Sequence, residues 1–149
     1  MLRFSVRIVL LMVAVILFST ACNYLDKPRP IVMRCTVEKQ AYVNQVIEIF
    51  NRNGYSIVSS NLDSGIVVAR DSVEQVAYRY DGLTRTWEVH HSGDSALIYV
   101  WSVSYRTDGS DVKQTWDKRY SGEDVKEWMR PILTSLENAC GLGNPLAPR

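Results

Sequence analysis

An α+β fold, an antiparallel sheet of five to six strands with two helices packed on one face, follows from three features of the 149-residue chain. Apolar residues recur at the three- and four-residue spacing of a helix face in two stretches, 36–53 and 121–140. The region between them breaks into short β-rich runs separated by turn residues. The resulting order is helix, hairpin, further antiparallel strands, helix, which segregates the helices to one side of the sheet.

In the first helix, Val43, Val46, Ile47 and Phe50 share a face, and Lys39, Gln40, Asn44, Glu48 and Asn51 fall elsewhere. Thr36 is placed to cap its start, with Glu38 as an acid in the first turn. Gly54 supplies the left-handed residue that ends it. Residues 55–61 and 66–70 then read as a hairpin closed by Leu62, Asp63, Ser64 and Gly65. Residues 76–80 read as a further strand, followed by an Asp81-Gly82 turn and a strand over 84–91, while 71–75 could hold a short helical turn.

Residues 96–106 form the longest strand, apolar on both sides, with Leu97, Tyr99, Trp101, Val103 and Tyr105 facing one way and Ile98 and Val100 the other. Such a strand belongs in the middle of a sheet. After the turn TDGS (107–110), residues 112–120 alternate, Val112, Trp116 and Tyr120 against Lys113, Thr115, Asp117 and Arg119. In the second helix Val125, Trp128, Met129, Ile132, Leu133, Leu136 and Cys140 trace the apolar face, Ser121 and Asp124 approximate a capping box, and Gly141 is the stop. Pro131 inside it removes one donor, a loss best tolerated facing solvent.

The first 22 residues, MLRFSVRIVLLMVAVILFSTAC, carry Arg3 and Arg7, an apolar run over 8–18, the small residues Ser19, Thr20 and Ala21, and then Cys22. This stretch resembles the signal of bacterial lipoproteins, which is cut before a lipidated cysteine, although Ser19 stands where that family usually has Leu. The resemblance implies lipid on Cys22, anchorage to a membrane, and a domain on the extracytoplasmic side of the cell envelope. An ordinary secretory signal and a retained anchor are the alternatives, but residues 8–21 span only about 21 Å as helix against a hydrocarbon core of about 30 Å. The boundaries are then a signal peptide over 1–21, a lipidated tether over 22–34 with Pro28 and Pro30, one domain over 35–141, and a tail over 142–149.

With Cys22 given to lipid, the odd count of three cysteines leaves Cys35 and Cys140 to pair as a disulfide in an oxidising compartment, or to stand as two buried thiols. Pairing needs the ends of the two helices to meet on one face of the sheet. Removing Arg3 and Arg7 with the signal leaves 15 basic against 16 acidic residues. A chain this close to neutral, with no basic stripe, does not read as a nucleic-acid binder.

No catalytic constellation is legible, no cofactor is implied, and the chain is expected not to be an enzyme. His90 and His91, the only histidines, point to opposite faces of a strand and cannot share a metal without a bulge. Gly141-Leu142-Gly143 follows a helix instead of preceding one, the wrong side for phosphate. The aromatic residues remain. Trp87, Tyr99, Trp101, Tyr105 and Trp116 either pack against the helices or gather on an exposed sheet face as a binding surface.

The stretch GYSIVSSNLDSGIVVA (54–69), a helix end, strand, tight turn and strand, is similar to the small helix-grip-like domains of envelope lipoproteins, among them the lipoprotein accessory subunit of the outer-membrane β-barrel assembly machine. The resemblance implies architecture alone. Taken together the residues point to a non-enzymatic envelope lipoprotein that binds a protein partner through an exposed sheet face or edge. A small-ligand carrier with a groove between helices and sheet is the alternative.

Overall fold

The computed structural model describes residues 28–77, 80–117 and 122–141. It is an α+β fold with six antiparallel strands and two helices packed on one face. In chain order the elements are β1 (Ile31–Arg34), α1 (Lys39–Arg52), β2 (Ser56–Asn61), β3 (Ile66–Ala77), β4 (Tyr80–Ser92), β5 (Ser95–Arg106), β6 (Asp111–Trp116) and α2 (Glu123–Ala139). The strand order is β1-β5-β4-β3-β2, and β6 also pairs with β5. Because Ile31 lies opposite Ile98 and Trp116 opposite Val100, β1 and β6 lie end to end along one edge of β5. The expected signal and Cys22 lie outside the described residues, as does the expected tail over 142–149. No helix among the described residues is long and apolar enough to cross a membrane.

One strand stands where the tether was expected. Residues 31–34 pair in register with residues 95–98 of β5, and Ile31 and Met33 are buried beneath the helices while Val32 and Arg34 point outward. This is the period-two signature of a half-buried strand, too short to stand out beside Pro28 and Pro30. The expected segments over 66–70 and 76–80 merge into the single strand β3, so 71–75 is extended and not helical. Asp81-Gly82 is likewise no turn, because β4 runs through it with a register shift between Tyr80 and Gly82. Glycine inside a strand commonly marks such a bulge.

The caps also differ from expectation. Glu38, not Thr36, caps α1, its carboxylate accepting the Ala41 N–H at 3.0 Å. Gly122 occupies the N-cap position of α2, and Ser121 lies outside the described residues. Gly54 and Gly141 follow the two helices in the left-handed region, as their stop role requires. Pro131 is exposed on α2, where its missing donor faces water.

The core lies between the helices and the inner face of the sheet. Tyr42, Val43, Val46 and Phe50 of α1 and Met129, Ile132 and Leu136 of α2 close over Val67, Ala69, Trp87, Val89, Ile98 and Val100. Trp87 is its centre, fully buried, with Phe50, Tyr55 and Trp128 rings at 6.0, 6.4 and 5.8 Å. Burying side chains of this size contributes roughly 1.5–3 kcal/mol each. Beside it on the same face, Arg85 Nε donates to Asp71 Oδ1 at 3.0 Å, a second bond joins Nη2 to Oδ2, and the guanidinium lies 5.0 Å from the Trp128 ring.

The helix ends meet as the pairing required. Cys35 and Cys140 form a disulfide with Cα atoms 4.3 Å apart, and both residues are fully buried. Cys35 N–H donates to the Asp94 carbonyl at 2.6 Å, which ties the chain between β1 and α1 to the β4–β5 turn.

Candidate functional site

Strand alternation divides the five aromatic residues singled out from sequence. Trp87 on β4 and Trp116 on β6 both lie opposite Val100 of β5, so this row points to the helix side. Trp87 is fully buried and offers no surface, which removes it from the exposed set. Trp116 is half-buried against the core, and its indole N–H donates to Ser102 Oγ at 3.0 Å. That row is core packing, driven by the burial of large aromatic area.

Tyr99, Trp101 and Tyr105 come together on the other face. They follow one another along β5 with Leu97 and Val103, and Val32 of β1 extends the row because it lies opposite Leu97. Val32 and Tyr105 are 62% and 41% exposed, while the residues between them shield one another and are half-buried. No helix lies over this outer face among the described residues. Its neighbours are polar: Thr84 Oγ1 donates to Tyr105 Oη at 3.2 Å, and Lys113 Nζ stands 5.8 Å from the Trp101 ring centre. His90 pairs with Glu88 and lies 5.3 Å from Tyr99.

The two histidines separate as alternation requires. His90 is on the outer face, whereas His91 is buried on the inner face, 5.4 Å from the Tyr42 ring. Its Nε2–H donates to the Val37 carbonyl at 3.0 Å. Neither its Nδ1 nor the Tyr42 hydroxyl has a hydrogen-bond partner among the described residues. Burial pushes the Tyr42 hydroxyl well above the ordinary phenol range.

The edge named from sequence was given no location there. β2 is the last strand of the sheet, and its outward edge has no partner strand among the described residues. Its residues SIVSSN carry no charge, and Val58, 53% exposed, sits at a register shift against β3. Leu62 in the adjoining turn is 42% exposed. The turn is held by Gly65, where φ is positive and an added Cβ would stand only 2.9 Å from the His91 carbonyl oxygen. Lys, Glu and Pro, the usual guards of an edge, are absent from this strand.

No family model and no curated protein matches the chain. Among solved structures the chain is similar to a DUF4468 family protein from Bacteroides ovatus, at 11% sequence identity and a TM-score of 0.43, over 80% of this chain and 88% of that one. Core side chains around Trp87 pack between the helices and the sheet. Among the described residues, no three His, Cys, Asp or Glu side chains converge in a metal-binding group.

Proposed function

We propose that this chain is a lipid-anchored, non-enzymatic protein of the bacterial cell envelope that binds another protein through the open β2 edge of its sheet. The signal ending at Cys22 supports the anchor and the extracytoplasmic location. The observation that carries the binding reading is β2 itself: an uncharged strand whose outward edge meets no partner strand among the described residues, with exposed Val58 and, in the adjoining turn, Leu62. An extended segment of a partner can add to such an edge through main-chain hydrogen bonds, with side chains selecting the partner.

Two measurements test this. Mass spectrometry of the protein extracted from membranes should find Cys22 as an acylated N-terminus, and a free thiol there overturns the anchor. A photo-crosslinking residue at Val58 in the full chain in cells should give one discrete protein adduct that the same group at Gln45 on α1 does not give. Indistinguishable patterns at the two positions overturn the edge reading.

A further inference from the structure

The outer face of the sheet is not used by the edge reading, and the way the chain enters the fold bears on what covers it. The segment that leads from Cys22 joins the sheet at Ile31, one residue before Val32, and Val32 is the first member of the apolar row that runs on through Leu97, Tyr99 and Trp101 to Tyr105. Residues 23–30 are the whole link between Cys22 and β1. Fully extended, they reach about 30 Å, so a lipid on Cys22 keeps the corner of this face close to the membrane surface.

From this we infer that the outer face lies against the bilayer, with Trp101, Tyr99 and Tyr105 in the headgroup region. The inference rests on the reading that Cys22 carries lipid. The chemistry of the face fits this occupant. Trp and Tyr rings present an apolar body and a polar tip and concentrate at membrane interfaces. Arg34, Arg70 and Lys113 are exposed on the same face and suit anionic lipid headgroups. Glu74 holds a register position in the Tyr105 row through Gly82, and of the carboxylates whose side chains are described there, Glu88 is paired with His90 and Asp111 sits at the far end opposite Tyr105. The lipid supplies the affinity, and the face, held at high local concentration by the short link, sets the orientation. Both helices then point away from the membrane, because they cover the opposite side of the sheet.

The test uses the full lipidated chain reconstituted in vesicles of phosphatidylethanolamine and phosphatidylglycerol with brominated acyl chains, read by tryptophan fluorescence after flotation. The expected result is flotation with partial quenching that falls at least twofold in Trp101→Phe. A second variant, Val32→Asp, changes an exposed side chain and should lower the quenching while the far-ultraviolet circular dichroism stays the same. Flotation with equal quenching in all three proteins overturns the docked face and leaves the anchor standing; it is also the outcome if another protein takes that face. Failure to float overturns the inference together with the anchor on which it rests.

Discussion

Arg85 and Asp71 stand opposite one another on neighbouring strands, joined by two hydrogen bonds, with the guanidinium lying over the Trp128 ring of α2. The pair is mostly shielded, its side chains 20% and 13% exposed. Removing one member leaves the other charge poorly solvated beneath the helix. Arg85→Met is therefore expected to cost about 2–3 kcal/mol in urea unfolding, below the loss for a fully buried pair. The double variant with Asp71→Leu should recover part of that loss. A single variant that unfolds like the wild type would show that the pair is surface decoration.

The Cys35–Cys140 disulfide closes a loop with a sequence separation of 105. Constraint of the unfolded chain over such a loop is worth about 4–5 kcal/mol in the chain-entropy model. The double Cys→Ser variant should show its urea midpoint lowered to match, and the wild type should fall to the same midpoint once reduced in denaturant. Equal midpoints for oxidised and reduced protein would overturn this.

Tyr42 offers a prediction of the opposite sign. Its hydroxyl is buried without a hydrogen-bond partner among the described residues. An unsatisfied buried hydroxyl costs about 1–3 kcal/mol, so Tyr42→Phe, which keeps the ring against His91, should be neutral or stabilising. A loss of more than about 1 kcal/mol in thermal or chemical unfolding would reveal a partner for that oxygen, such as an internal water.

Glu38 gives a pH dependence. Hydrogen bonds from the Ala41 N–H and then the Gln40 N–H at the start of α1 hold its carboxyl below the ordinary value of 4.5. A carboxyl whose folded value is lowered contributes stability that is present above pH 4.5 and lost as pH falls through its folded value. Wild type should be the more stable of the pair at neutral pH, and its advantage over Glu38→Ala should shrink as the solution is acidified below that point. A gap independent of pH would mean that the capping charge does not matter.

The helices were legible because a 3.6-residue period repeated over four or five turns is hard to produce otherwise. Alternation likewise places Tyr99 and Trp101 on the face opposite to Ile98 and Val100. Alternation cannot say which face the helices choose, and that depended on register: Trp87 and Trp116 both fall opposite Val100, so they share its face. β1 was hidden because four residues hold only two alternations and two prolines precede them. Asp81-Gly82 misled because the same glycine that makes a turn also permits a bulge, and only strand pairing distinguishes them. The uncovered edge at β2 depended on strand order, which no local pattern encodes.

Cys35 follows the last residue of β1 directly, and this sets how the domain carries load. Tension entering from the N-terminal side can peel away only the four residues of β1, about 13 Å of chain. It then arrives at Cys35, where it divides between the backbone leading into α1 and the sulfur bridge to the end of α2. Beyond that point no single element bears the pull alone, so the sheet behind the staple is tugged as one body from two covalent roots.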